Sequence, residues 1–252
     1  MATLTELIKN YAEERGEYTA TLIYGDSGSG KTTLSSTWPK PFLYLDFGMG
    51  LRTLQNLGFT NIPHIPFRKA DTKKEEPYRK AMGIIEELGK EKGAGYKTLI
   101  IDDGTAMADL ISNGALMHPY HKDAKFRLPT NNKPNWDDYN ALQERLKDVI
   151  GRCLDLPMHF VLTALTTLEK DENRGTYIGK PNLKGGYRDK IEADFDYVLY
   201  LVAEKIKTNV HYRCYTIPEG YFKAKVRGKF KPVYENATFD KLFGKEEEVP
   251  KQ

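Results

Sequence analysis

The stretch TATLIYGDSGSGKTTL, from Thr19 to Leu34, constrains this chain more than any other. Thr19 to Tyr24 is a short, β-prone apolar run, and the residues after it fit G-x-x-x-x-G-K-[ST] at Gly25, Gly30, Lys31 and Thr32. Strand, tight loop and helix therefore follow in the order a phosphate-binding loop requires. Glycines let the backbone wrap closely, so that its amides face a β-phosphate; Lys31 reaches the β and γ oxygens and Thr32 is placed to hold Mg²⁺. Asp26, Ser27, Gly28, Ser29 and Thr33 complete the expected nucleotide-binding segment, the hydroxyls of Ser27, Ser29 and Thr33 reading as solvated groups more readily than as direct ligands.

A phosphate loop of this kind needs a second metal carboxylate at the end of a neighbouring buried strand. YKTLIIDDGT offers one: Thr98 to Ile101 is a partly β-branched apolar run that ends in Asp102, the Walker-B candidate and second Mg²⁺ ligand. Asp103 points differently and is a candidate for placing a water.

The rest of the chain supplies an α/β succession. Phe42 to Asp46 (FLYLD) reads as a buried strand; Pro77 to Lys90 carries Met82, Ile85 and Leu88 at helical spacing; Thr105 to Met117 and Asp137 to Leu154 read as further helices. HFVLTAL from His159, Phe195 to Val202 and Tyr212 to Thr216 read as strands, the last ones consecutive. The expected fold is a mostly parallel twisted sheet flanked by helices and finished by C-terminal antiparallel hairpins. At 252 residues, one domain over 1–244 with a charged tail at 245–252 is expected. Two segments have no clear period: HPYHKDAKFRLPTNNKPNW, and LEKDENRGTYIGKPNLKGGYRDK.

Lys and Arg total 38 against 35 Asp and Glu, a net charge of +3, so any basic site is local. Cys153 and Cys214 are too few for a disulfide framework and read as small apolar fillers. With no apolar leader in MATLTELIKNYAEERGEY and no apolar run of membrane-spanning length, the expectation is a soluble cytoplasmic protein without a membrane partner. His118 and His121 form an H-x-x-H pair that lacks a third ligand, and Trp136 reads as a packing anchor.

FKAKVRGKF, Phe222 to Phe230, places Lys223, Lys225, Arg227 and Lys229 on alternate residues, with Lys231 continuing the series. An extended strand would put these cations on one face and Ala224, Val226 and Phe230 on the other. Lysines on an edge strand deter pairing with other chains; that role requires neither an arginine among them nor a glycine directly after it.

The succession GDSGSGKTTL, FLYLDFGMGLRTL, KTLIIDDGT, NWDDYNALQERL, LPMHFVLTAL and GYFKAKVRGKF resembles phage AAA ATPases of the RecA-like type, in particular the short recombination proteins of the Sak-four kind. The resemblance spans about Thr19 to Tyr234. It implies a RecA-like P-loop core, ATP hydrolysis with Mg²⁺, single-stranded DNA binding, and strand annealing or exchange alongside a single-strand DNA-binding protein. It also implies a ring or filament of like subunits with ATP between neighbours. A water-polarising acid would fall where this chain has Gly48, leaving Asp46 or Asp103 as substitutes and implying slow hydrolysis. Thr163 or Thr166 would be the polar sensor. The two irregular segments would face DNA, through Lys122, Lys125, Arg127 and Lys133 with Tyr120 and Phe126, and through Lys180, Lys184, Arg188 and Lys190 with Tyr177 and Tyr187. KVRG looks like the K-x-R-x-G hairpin of hexameric DnaB-type helicases and the paired lysines of RecA, which makes Lys225 and Arg227 candidate catalytic cations acting on a neighbour's ATP, with Lys223, Lys229 and Lys231 solvated or DNA-facing. Two other readings compete: a P-loop kinase of nucleosides or nucleotides, with ENR and GGYRDK as a lid, and a non-hydrolysing nucleotide switch that assembles with replication proteins.

Overall fold

The computed structural model describes residues 18–68, 77–117, 136–172, 175–184 and 186–244, without the side chains of 113–117, 136–139 and 141. An eight-stranded sheet runs through the centre in the order β10-β9-β8-β1-β5-β4-β2-β3. Its parallel part comprises β8 (Tyr197–Ile206), β1 (Ala20–Gly25), β5 (His159–Ala164), β4 (Thr98–Asp102), β2 (Phe42–Asp46) and β3 (His64–Pro66). β9 (Asn209–Tyr215) and β10 (Val233–Glu235) extend it antiparallel. This is the mixed α/β, mainly parallel architecture that the alternation of elements predicts.

Every residue of β1, β2 and β4 is buried, which is why these strands read as apolar runs without alternation. Alternate residues feed two cores. Leu22, Leu45, Leu99 and Leu162 face α3 (Pro77–Lys90), α4 (Gly104–Met117) and α5 (Trp136–Leu154), which bury Met82, Ile85, Ile111 and Leu146 on that side. Ile23, Tyr44, Ile100 and Val161 face α1 (Lys31–Ser35), α2 (Leu51–Asn56) and α6 (Phe239–Phe243). Trp38 closes this second layer at 1% exposure, stacked edgewise against Phe239 and Phe243.

Two expectations are corrected. The segment from Leu168 to Lys190 is ordered where it is described: β6 (Thr166–Asp171) and β7 (Thr176–Pro181) form an antiparallel hairpin, followed by 3₁₀ turns at Gly186–Asp189 and Ile191–Ala193. FKAKVRGKF is not a strand with one cationic face. Its backbone pairs through isolated bridges, Phe222 to Gly179 and to Glu219, and Lys225 to Val198. Ala224 packs into the first core and Val226 against the second, so the chain passes from one layer to the other around the end of the sheet.

His118, Tyr120, His121, Lys122, Lys125, Phe126, Arg127, Lys133, the Trp136 side chain and the 245–252 tail lie outside the described residues.

Candidate functional site

The phosphate loop joins β1 to α1 as its sequence predicts. Gly28 and Gly30 sit at φ of 81° and 94°, backbone that a residue with a Cβ rarely adopts. Gly25 is glycine for space, because a Cβ there would lie 2.2 Å from the Leu201 carbonyl oxygen on β8. Lys31 is buried and folds back along the loop, donating from Nζ to the Gly25 carbonyl at 2.9 Å and the Asp26 carbonyl at 2.8 Å. Burial lowers its pKa, and the nearby Asp102, Asp103 and Asp26 oppose that shift. Ser27 and Thr33 are exposed. Ser29 departs from its expected solvation: it is 2% exposed, and its hydroxyl is a buried oxygen without a hydrogen-bond partner.

Register brings the second carboxylate into place. Asp102 ends β4, separated from β1 by β5, and both its oxygens are taken. Thr32 Oγ1 donates to Oδ2 at 2.8 Å, and Thr163 Oγ1, from β5, donates to Oδ1 at 2.6 Å. Burial raises the Asp102 pKa, with the two hydroxyls working against the rise. Thr163 is thus brought to the site; the Thr166 hydroxyl has no partner.

The loop after β2 covers this pair. Phe47 and Gly48 amides donate to the Asp102 carbonyl at 2.8 and 3.0 Å, pinning the loop across the strand end. A Cβ on Gly50 would lie 2.3 Å from Asp102 Oδ2 and 3.1 Å from Thr32 Oγ1. The space beside a hydroxyl and a carboxylate oxygen is therefore kept open by a missing side chain, and hard oxygen donors of this kind suit Mg²⁺ retaining most of its water. Gly50 carries no signature of its own in the sequence, being a glycine two residues past another in a loop.

Asp103 turns away from Asp102. Its Oδ1 accepts from the Ala106 amide at 2.6 Å, which makes it the N-cap of α4, and burial raises its pKa. Its Oδ2 faces Gly48, where a Cβ would lie 2.9 Å away. Asp46, the other substitute acid, is engaged elsewhere: Arg68 binds its Oδ2 at 2.7 Å and its carbonyl at 2.9 Å. Oδ2 thus belongs to an ion pair, while Oδ1 is buried without a hydrogen-bond partner.

Beside the loop lies a cavity of about 530 Å³, walled by α1, α2, β9 and the β10 to α6 connection. Leu57, Leu201 and Tyr212 supply apolar surface, while Thr53, Asn236 and Thr238 supply polar groups. Tyr212 stands on the loop itself, its ring carbon 3.3 Å from where a Gly30 Cβ would be. Both size and lining suit the base and sugar of a nucleotide whose phosphates occupy the loop. Sequence patterning reads Tyr212 only as a strand residue.

Among the described residues, three of the cations expected to meet DNA are paired within the chain. Lys180 pairs with Glu169 at 3.1 Å and Asp189 at 2.6 Å, Arg188 with Glu169 at 2.5 Å, and Lys184 with Asp109 at 2.8 Å. Tyr187 is 3% exposed, whereas Tyr177 is 51% exposed and packs edgewise on Tyr221. With Arg188 pinned in this way, the GGYRDK turn is not a free lid. Lys223 reaches Glu192 at 3.2 Å, and Arg227, whose side chain is 67% exposed, reaches Asp196 at 3.2 Å. Gly25 is level with Leu201, and Asp196 lies five residues below it, about 16 Å along the strand. Arg227 is therefore at the opposite end of the sheet from its own phosphate loop.

Among the described residues there is no cluster of three or more metal-binding side chains and no helix long and apolar enough to cross a membrane. Solved structures similar to the chain include a KaiC-like protein from the hyperthermophilic archaeon Pyrococcus horikoshii, at 13% identity over 90% of this chain and 91% of that one, with a TM-score of 0.41. The flagellar accessory protein FlaH of Methanocaldococcus jannaschii is similar at 13% identity over 89% and 88%, with a TM-score of 0.46. No curated protein matches. A family described as an AAA domain matches residues 17–228, from just before β1 to the end of KVRG. The mainly parallel sheet and the phosphate loop agree with that match, and the chain belongs to this AAA domain family.

Proposed function

We propose that the protein hydrolyses ATP with Mg²⁺ and couples the nucleotide state to assembly on single-stranded DNA, in phage homologous recombination by strand annealing or exchange. The observation that carries the hydrolytic part is the Thr32 to Asp102 contact beneath Gly50, a hydroxyl and a carboxylate oxygen 2.8 Å apart with open space beside them. Bound there, Mg²⁺ would neutralise charge on the β and γ phosphate oxygens. Lys31 exchanges its loop carbonyls for phosphate oxygens, the loop amides and the Ser29 hydroxyl hold the phosphates, and Tyr212 packs on the nucleoside. Thr163 fixes the Asp102 carboxylate from the far side.

Assembly is supported by where the KVRG cations stand. Arg227 is exposed and remote from its own nucleotide, so any ATP it serves belongs to a neighbouring subunit in a ring or filament. A guanidinium and an ammonium two residues apart suit two groups of a triphosphate. The DNA part rests on the family resemblance and on the exposed Tyr177 and Tyr221 pair, whose faces would stack on bases. Lys180, Lys184 and Arg188 are paired internally, which counts against phosphate contacts at this hairpin; steep weakening of DNA binding by salt would restore them and a nearly flat dependence would exclude them. The 1–244 span acts as one ATPase domain in the cytoplasm, with a single-strand DNA-binding protein as a further partner.

The test is ATP cleavage with and without single-stranded DNA. Release of free phosphate, faster with DNA, supports the reading. Phosphate appearing on a nucleoside or nucleotide would identify a kinase, and ATP binding without cleavage a switch.

A further inference from the structure

We infer that Asn236 selects the base of the bound nucleotide, taking adenine through its N6 and N7. The assignment rests on the cavity beside the phosphate loop as the nucleoside site. Asn236 directly follows β10, lies past residue 228 where the family match ends, and lines that cavity together with Tyr212. Its backbone amide donates to the Tyr212 carbonyl at 2.9 Å. The residue whose ring stands on Gly30 therefore also sets the place of Asn236.

The Asn236 backbone is held from its other side as well. Lys241 Nζ, from α6, donates to the Asn236 carbonyl at 2.9 Å and to the Glu235 carbonyl at 3.2 Å, and φ at Asn236 is 45°. Asparagine tolerates this left-handed backbone better than most residues, so conformation alone accounts for an Asn or a Gly at this position. It does not account for a carboxamide that lines the cavity and makes no hydrogen bond among the described residues.

Away from the phosphate loop, Thr37, Thr53, Arg213 and Thr238 also bring polar side chains to the wall. Thr37 Oγ1 donates to the Leu34 carbonyl at 2.7 Å and accepts from the Phe239 amide at 2.8 Å. Thr238 Oγ1 accepts from the Lys241 amide as the N-cap of α6, and Arg213 is paired with Glu204 at 2.9 Å and Glu235 at 3.8 Å. Thr53 offers a single hydroxyl. Among these groups the Asn236 carboxamide is the one with a donor and an acceptor side by side in one plane and both uncommitted.

Adenine presents the complementary pair, N6–H as donor beside N7 as acceptor. On the same edge guanine has two acceptors, O6 and N7, so the Asn236 carbonyl would meet O6 oxygen to oxygen. A lone hydroxyl, which donates or accepts as required, separates the two bases poorly.

Equilibrium titration of the full chain with ADP, GDP, 7-deaza-ADP and pyrophosphate tests the assignment. The parent should prefer ADP to GDP by about tenfold or more, and 7-deaza-ADP, which lacks the N7 acceptor, should bind about fivefold more weakly than ADP. Asn236→Gly keeps the left-handed backbone without the carboxamide, so Tm should hold while ADP affinity falls about tenfold to the level of GDP. Pyrophosphate binding should stay within about threefold of the parent. Should the glycine variant lose Tm, Asn236→Asp, which also tolerates this backbone and sets an oxygen against N7, takes its place with the same expected loss. Equal binding of ADP and GDP by the parent, or an ADP preference kept by the variant, would overturn the inference and leave ATP hydrolysis standing. A parallel loss of ADP, GDP and pyrophosphate would also overturn it, by making Asn236 a structural part of the wall. An ADP preference lost with the carboxamide in a chain that does not cleave ATP would uphold it and remove the hydrolytic reading instead.

Discussion

Thr32 on α1 and Asp102 on β4 are 70 residues apart and meet through one hydrogen bond of 2.8 Å. The helix after the loop and the end of a strand two places across the sheet thus share one metal position, and each group is useful only with the other. Asp102→Asn and Thr32→Ala should each raise the Mg²⁺ concentration needed for ATP cleavage by about tenfold or more, while nucleotide binding without metal changes little. Equal Mg²⁺ requirements for variants and parent, in a cleavage titration, would dissociate the contact from metal binding.

Gly50 should be intolerant for a steric reason alone. Its φ is −68°, which any residue adopts, so alanine adds no backbone strain. Its Cβ would nevertheless sit 2.3 Å from Asp102 Oδ2. Gly50→Ala is expected to abolish Mg²⁺-dependent cleavage with Tm lowered by only a few degrees. Gly28→Ala is the contrasting case, with nothing within 4 Å of its Cβ but a φ of 81°, and there stability and loop geometry suffer together. Thermal melting and cleavage assays on the two variants distinguish these outcomes.

Tyr212 should contribute to nucleoside binding through its ring and not its hydroxyl. Tyr212→Ala is expected to weaken ATP and ADP alike by about tenfold, the scale of one lost aromatic contact, and Tyr212→Phe to have little effect. Equilibrium titration with a fluorescent nucleotide reads both. Equal affinity in the alanine variant would place the base outside this cavity.

Arg227, with a side chain 67% exposed, pairs at 3.2 Å with Asp196, whose side chain is 15% exposed, and solvent screening of the guanidinium keeps the contact to about 1 kcal/mol. Arg227→Ala should therefore leave Tm and nucleotide binding by isolated subunits almost unchanged while abolishing DNA-stimulated hydrolysis. Mixing Arg227→Ala subunits with Lys31→Ala subunits should restore some activity, because some interfaces then combine an intact loop with an intact arginine. Mixtures no more active than either variant would mean that the site is not shared.

The phosphate loop and the buried strands were legible because their constraints are local. GDSGSGKTTL carries its geometry in its glycines, and FLYLD and TLIID are apolar throughout because helices cover both faces. α3 matches the span read from its apolar spacing, Pro77–Lys90. What escaped depends on neighbours distant in the chain. The β6 to β7 hairpin pairs polar strands, and its stability comes from ion pairs such as Lys180 with Glu169 and from the Phe222 ring lying over Gly179. The alternation in FKAKVRGKF resembles a strand, but Ala224 and Val226 go to different cores, which no period-two pattern can anticipate. Asp46 reads as an acid at a strand end, and its Oδ2 pairing with Arg68 from beyond β3 has no local signature.

The most direct test of the central claim is single-turnover cleavage of ATP labelled at the γ-phosphate by the parent chain and by Lys31→Ala, with Mg²⁺ and with or without single-stranded DNA. Free labelled phosphate is expected from the parent, more of it with DNA, and none from Lys31→Ala. Label remaining on ATP in the parent reaction, or transferred to a small-molecule acceptor, would contradict it.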